Sequence, residues 1–247
     1  MTKTTSVLIT GASGGIGRAL CTLVKGEGHR IVVAGRDADR LTDLGADVVV
    51  QADCTTAAGA QTMLAEATAE LGEVPHQLAH CVGNTFLAPL HRTRSDAWSD
   101  VLRVNLDSAF HTLNAWIPGR QKSENGGSAV FLSSVVSRIG VANHEAIAAA
   151  KGGLEALVRS AAATYASQGI RLNVVAPGLT DTPLTAPMLK SDAFREAATR
   201  QYPLSGLQAA TDVAAAMAWL LGDCAQRITG QIIPVDGGFT AVRPLVR

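Results

Sequence analysis

Thr10-Gly-Ala-Ser-Gly-Gly-Ile-Gly17 follows the apolar run Val7–Ile9 and leads into a stretch of helical period, and this junction decides the fold. A strand that ends in glycines and restarts as a helix gathers backbone N–H groups and the positive helix end at one place, a setting for a pyrophosphate. Gly11 permits the tight turn, while Gly15 and Gly17 allow close approach of backbone to ligand and of helix to sheet. The spacing is G-x-x-x-G-x-G, not the commoner G-x-G-x-x-G. Read alone, the turn also fits a tight connection that holds no ligand.

Outward from that loop, short β-branched runs alternate with longer alanine-rich segments of helical period. The alternation predicts an α/β chain with a Rossmann-type, doubly wound, seven-stranded parallel sheet. Strands are expected at Val7–Thr10, Arg30–Ala34, Asp47–Gln51, Gln77–Cys81, Ala129–Ser133, Arg171–Ala176 and Gln231–Val235. Helices are expected at Ile16–Gly26, Thr56–Leu71, Ser95–Trp116, His144–Ser167, Pro183–Arg200 and Ala209–Leu221, with Gly26-Glu-Gly28 stopping the first and Thr211-Asp212 capping the last. Gln121–Ser128 reads as a loop. No repeat or boundary divides the chain, so residues 1–247 are expected to form one domain. In such sheets ligands bind beyond the strand carboxyl ends, so site residues should follow strands.

Composition narrows the function. Of 247 residues 47% are hydrophobic, 17% charged and 4% aromatic, which excludes disordered and collagenous classes. Lys plus Arg equals Asp plus Glu at 21 each, so no net field draws the chain to nucleic acid or an anionic membrane. The four cysteines, Cys21, Cys54, Cys81 and Cys224, form no C-x-x-C pair, and no metal site is expected. The polar start Met1–Ser6 and the short first apolar run predict neither a signal peptide nor a spanning helix, and a cytoplasmic location is expected.

From Val7 to about Phe239 the sequence resembles the short-chain dehydrogenase/reductase family, and within it the 3-oxoacyl-acyl-carrier-protein reductases. The landmarks stand in family order: the T-G-x-x-x-G-x-G loop, Asp53 in Gln51-Ala-Asp-Cys54, Asn105 in Val104-Asn-Leu106, Ala176-Pro-Gly178 with Thr182, Ile228-Thr-Gly-Gln231 and Val235-Asp-Gly-Gly238. The resemblance implies an acidic contact to adenine from Asp53, a structural and catalytic asparagine at Asn105, and a segment folding over nicotinamide after Pro177. Cofactor contacts are implied at Gly11, Ser13, Gly15, Ile16, Gly17, Arg36, Asp53, Cys54, Cys81, Gly83, Lys151, Pro177, Gly178, Leu179 and Thr182.

Family members preferring NAD usually carry an acidic residue at the end of the second strand. Here the segment is Val33-Ala-Gly-Arg-Asp37, and a guanidinium at Arg36 can pair with a 2′-phosphate and stack on adenine. NADP is therefore expected, with NAD as the alternative. Asp37 either takes the ribose or caps the following turn, and the plain reading of Arg36 is a solvated charge. Gly14 stands where NADP-preferring relatives often have a second basic residue.

The resemblance implies a catalytic serine after the fifth strand, then a tyrosine and a lysine four apart on one helix face. Ser134 and Lys151 match. Four residues before Lys151 stands Ile147, an aliphatic group in the proton donor's position. A positioned acid or base contributes roughly 10²–10⁴ in rate, so its loss is severe without being absolute. His144, three residues before Ile147, is the substitute candidate because an imidazole titrates near neutrality. Its plain reading is a capping or surface histidine. Tyr202 lies in the substrate-covering segment, about 183–207, where packing is the expected role, and Tyr165 is nearly four turns beyond Lys151. The family's fourth-strand N-N-A-G is His80-Cys-Val-Gly83 here, and His80 is expected to be a buried, satisfied histidine.

Two functions follow. One is an NADP(H)-dependent oxidoreductase with an altered proton relay, acting on a small carbonyl or alcohol. The other is a nucleotide-binding protein with little turnover, a sensor or assembly component. The small residues of Ala146–Ala166, with the resemblance, imply a homodimer or homotetramer.

Overall fold

The computed structural model describes residues 5–243; the opening residues 1–4, part of the polar start, lie outside them. In chain order the elements are β1 (Ser6–Thr10), α1 (Gly15–Gly26), β2 (Arg30–Gly35), β3 (Val48–Gln51), α2 (Ala57–Leu71), β4 (Gln77–His80), α3 (Ser95–Leu102), α4 (Ser108–Gln121), β5 (Gly127–Leu132), α5 (Glu145–Tyr165), β6 (Ile170–Pro177), β7 (Thr180–Asp181), α6 (Asp192–Thr199), β8 (Gln208–Ala209), α7 (Ala210–Leu221) and β9 (Ile232–Val235). The main sheet is seven-stranded in the order β3-β2-β1-β4-β5-β6-β9. Every neighbour in it is parallel.

Helices cover both faces because the strands are apolar on both. Leu8 joins Val32, Met63, Trp116, Phe131 and Leu154 on one side of the sheet. Val7 and Ile9 join Leu20, Val33, Val213 and Met217 on the other. Trp116, fully buried, satisfies its indole by donating to the Pro75 carbonyl at 2.8 Å. Alternate residues of β1 thus feed opposite cores, as a doubly covered strand requires.

Several expected boundaries are corrected. The run expected at Ser95–Trp116 is α3, a π-helical turn at Arg103–Asp107, then α4, which continues through Pro118 to Gln121. The extension holds because the buried Arg120 donates to Gly126 O at 2.7 Å and to Val74 O at 3.0 Å, tying the last turn to its loop. The helix expected at Pro183–Arg200 is only α6, preceded by a short 3-10 turn at Ala186–Leu189. Pro183 and Pro187 oppose a regular helix there, and the Ser191 hydroxyl starts α6 by accepting from Phe194 N at 3.2 Å. β5 begins at Gly127, inside the expected loop, because its ladder to β6 starts at the Gly127–Ile170 pair. The last helix starts at Ala210, where the Asp212 carboxylate accepts from Ala209 N at 2.8 Å, so Asp212 closes the first turn from inside it. The pairing of β7 with β8 had no sequence signal.

Candidate active site

The carboxyl ends of the main strands open on a cleft of about 1270 Å³. Its floor is the glycine loop. Gly11 has φ +66°, and a Cβ there would lie 2.7 Å from the Cys81 carbonyl carbon; a Cβ at Gly17 would lie 2.6 Å from Gly11 O. A Cβ at Gly15 would meet the Thr182 methyl at 2.9 Å. Gly15 is therefore small to seat the covering segment, and Gly17 to seat the loop on itself. The N-cap of α1 is Gly14, and no side chain caps the helix, so the amides of its first turn stay available to an anion. Ser13 and Ile16 also line the cleft.

At one end, Arg36 follows β2 and Arg40 stands one turn on; both line the cleft, and neither guanidinium has a hydrogen-bond or ion-pair partner among the described residues. Asp37 does not line it, and the following 3-10 turn has Ala38 as its uncapped N-cap, so the expectation that Asp37 caps is corrected. Asp53 accepts from Thr55 N at 3.0 Å. Burial opposes its ionised form, but the Thr55 hydrogen bonds with the charges of Arg36 and Arg103 outweigh that and hold the carboxyl below its ordinary range. Cys54, beside it, lines the cleft and is buried.

At the centre, Gly83 is the crowded point, since a Cβ there would lie 2.9 Å from Asn105 Oδ1 and 3.4 Å from Lys151 Nζ. Asn105 sits in the π-helical turn, which widens the helix where its amide must reach; Nδ2 donates to Val101 O at 2.9 Å and to Asn84 Oδ1 at 2.6 Å. Lys151, one turn past Ile147 on α5, donates to Leu132 O at 2.8 Å. Burial pulls its ammonium down to about 8, with Cys81 opposing the shift. The Cys81 thiol itself is pushed up by burial and is no nucleophile.

Ser134 precedes a 3-10 turn, and its Oγ accepts from Val136 N at 3.4 Å, leaving its proton for another acceptor. Ile147 lines the cleft but is 5% exposed, in an apolar cluster with Val101, Ala146, Ala150, Phe86, Trp98, Leu102 and Val136. His144, also on the cleft, places Nδ1 2.7 Å from Ala142 O. Because a carbonyl can only accept, Nδ1 carries the hydrogen and Nε2 of the neutral ring is an acceptor. Asn143, in the left-handed region at φ +66°, makes the bend that delivers it.

Pro177, Gly178, Leu179 and Thr182 line the opposite wall. Tyr202 is buried, accepts from Leu179 N at 2.7 Å and packs its ring against Phe239 with centroids 5.1 Å apart and planes tilted by 40°; it anchors that wall. Tyr165 packs against the core and does not line the cleft. His80 is buried, with Nδ1 2.9 Å from Thr10 Oγ1 and Nε2 3.0 Å from Ser108 Oγ. Sequence reasoning missed Asn84, Arg40 and Arg103. Asn84 had only its place next to Gly83 as a signal, and Arg40 only its place four residues after Arg36. Arg103, which donates to Thr55 Oγ1 at 2.7 Å, had none, since its partner is 48 residues away. Among the described residues no group of three or more His, Cys, Asp or Glu is placed to hold a metal.

Residues 11–240 match the family model described as enoyl-(acyl carrier protein) reductase. The cis-4-hydroxycyclohexanecarboxylate dehydrogenase of Sinomonas cyclohexanicum is 36% identical over 246 residues, covering 95% of this chain and 96% of that protein. The 3-oxoacyl-(acyl-carrier-protein) reductase FabG of Salmonella typhimurium is 35% identical over 240 residues, covering 95% and 97%. The chain belongs to the short-chain dehydrogenase/reductase family. A solved short-chain type dehydrogenase/reductase from Mycobacterium ulcerans superposes with a TM-score of 0.90 at 26% identity, over 97% of this chain and 91% of that one. Membership in this oxidoreductase family accords with the single seven-stranded fold. No helix among the described residues is long and apolar enough to cross a membrane.

Proposed function

We propose that the chain is an NADP(H)-dependent oxidoreductase that interconverts a small-molecule carbonyl and its alcohol, with Ile147 in place of the family's tyrosine. The observation that carries this reading is the meeting of Ser134, Asn105 and Lys151 on a cleft whose floor is an uncapped helix N-terminus. The donor set fits the cofactor: first-turn amides of α1 for the pyrophosphate, Arg36 and Arg40 for a 2′-phosphate, Asp53 for the adenine amino group and Lys151 for the nicotinamide ribose. When bound, the nicotinamide supplies or accepts the hydride.

The chain's own residues manage the oxygen and its proton. Ser134 Oγ, with a lone pair engaged by Val136 N, turns its proton toward the substrate oxygen and stabilises charge developing there. In alcohol oxidation His144 Nε2 takes the hydroxyl proton as the hydride leaves carbon; in reduction the imidazolium returns a proton to the oxygen. The apolar side chains of Leu87, Val141, Leu184, Met188 and Phe194 along the same cleft suit a substrate with an apolar body, such as an alicyclic alcohol or an acyl chain. The names of the curated relatives point the same way. Phe110 and Trp219, large and partly exposed on α4 and α7, are consistent with assembly as a homodimer or homotetramer.

The test is to titrate purified protein with NADPH and NADH, then to follow cofactor oxidation over a panel of cyclic ketones and 3-oxoacyl thioesters, and reduction over the matching alcohols. Turnover with preference for the phosphorylated cofactor is expected. Tight binding without turnover on any substrate overturns the enzyme reading in favour of a nucleotide-binding protein.

A further inference from the structure

Glu155 lies on α5 one turn beyond Lys151, is 5% exposed and does not line the cleft, yet it is bonded to both sides of the segment that carries Ser134. Its Oε1 accepts from Ser133 Oγ at 2.7 Å and from Ser137 Oγ at 2.5 Å. Ser137 Oγ in turn lies 2.6 Å from the Ser134 carbonyl oxygen. Oε2 faces Arg138 Nε at 3.6 Å. One buried carboxylate therefore ties Ser133, the residue before Ser134, to Ser137 at the end of the 3-10 turn Val135–Ser137. The single Ser137 hydroxyl hydrogen serves either Glu155 or the Ser134 carbonyl, so Glu155 holds Ser134 through the residues that flank it and not through its carbonyl.

We propose that Glu155 is a positioning residue that fixes the Ser134 hydroxyl toward the substrate oxygen. The inference rests on the oxidoreductase reading above and extends it to a residue outside the cleft. A carboxylate buried among hydroxyls costs desolvation and is sustained by those hydrogen bonds. The lone pairs of Oε1 let it accept from two hydroxyls at once, which an aliphatic group at that position could not. Without it the turn loses its cross-link to α5, and the Ser134 oxygen is free to shift. A misplacement of about 1 Å near reacting atoms costs about 10²-fold in rate.

The experiment compares Glu155→Gln and Glu155→Ala with the natural protein. Glutamine keeps an acceptor of the same reach, so it should hold turnover near the natural rate, while alanine should lower kcat by up to about 10²-fold. The dissociation constant for NADPH should not change, because Glu155 does not itself line the cleft. A structural role alone would not separate kcat from cofactor affinity in this way. Amide hydrogen exchange across residues 133–139 provides a readout that needs no turnover: alanine should speed exchange about tenfold and glutamine should restore protection. Unchanged protection in the alanine variant, or equal kcat in all three proteins, overturns the proposal. Absence of turnover in the natural protein with the exchange pattern as described overturns the oxidoreductase reading and leaves the tether between Glu155 and the Ser134 turn supported. Should the alanine variant fail to fold, the glutamine variant decides: protection lost there, in a folded protein, shows that an acceptor of that length does not set the turn.

Discussion

His80 places Nδ1 2.9 Å from the hydroxyl of Thr10, its register partner across the β1–β4 ladder, and so joins the end of the fourth strand to the residue that opens the glycine loop. Burial pushes the imidazole down to about 3, with the Lys151 charge adding to the effect. The unfolded chain thus takes up this proton near pH 6.5 while the folded chain resists it, and stability falls as pH drops from about 6.5 toward 3. The slope from this one group reaches as much as about 1.4 kcal/mol per pH unit. His80→Asn keeps polar partners for Thr10 and Ser108 without titrating. Its melting temperature should decline less between pH 6 and pH 4, about as a single lost titration requires. Parallel decline in both proteins rules His80 out as the source.

Ile147→Tyr should raise reduction of simple ketones, by about 10²–10⁴-fold if only the phenol is missing. The larger ring must enter the cluster of Val101, Phe86 and Trp98, so stability should fall by about 1–3 kcal/mol. Steady-state rates beside a denaturant melt read both effects. A rate that does not rise, in a folded variant, means that the surrounding site has been remodelled as well.

His144→Ala should lower turnover by at least about 10²-fold while the NADPH dissociation constant stays the same. Stopped-flow reduction together with a fluorescence titration separates the two. Activity retained in full eliminates His144 as the proton carrier.

Replacing Arg36 and Arg40 together by alanine should weaken NADPH by about 10–150-fold, the equivalent of about 1.5–3 kcal/mol for charged hydrogen bonds, and leave NADH alone. Calorimetric titration with each cofactor is the measurement. Equal losses for both would show that the arginines do not read the 2′-phosphate.

Lys151 carries a lowered folded value of about 8 against 10.5 for a free lysine, chiefly through burial. The unfolded chain therefore holds this proton longer, and the group adds stability only as pH rises from about 8 toward 10.5. If Lys151 serves the proposed reaction as the ammonium, kcat/KM for reduction should bend downward near pH 8. A flat profile through pH 9 would mean that Lys151 stays charged or takes no part.

Much of the site is local, and that part was legible. The glycine loop, Ser134, and the spacing of Ile147 and Lys151 lie on single elements whose period fixes their relative placement. Arg103 with Thr55, Tyr202 with Leu179 and Glu155 with Ser133 join residues far apart in the chain, and no period links them. The contact that a side chain at Gly15 would make with the Thr182 methyl had no signal in the sequence either, because that methyl arrives from a segment more than 160 residues later.

By itself the sequence determined the parallel sheet, the loop at its first strand and the placing of Ile147 one helical turn before Lys151, since each follows from side-chain size and periodicity along a continuous run. Only the tertiary structure decided where the breaks fall in the helix through Asn105, which wall Tyr202 holds, and that a buried carboxylate grips the serine turn. Those features arise where chains from separate elements compete for the same small volume, and packing and hydrogen-bond satisfaction there are settled by neighbours that the local sequence does not name.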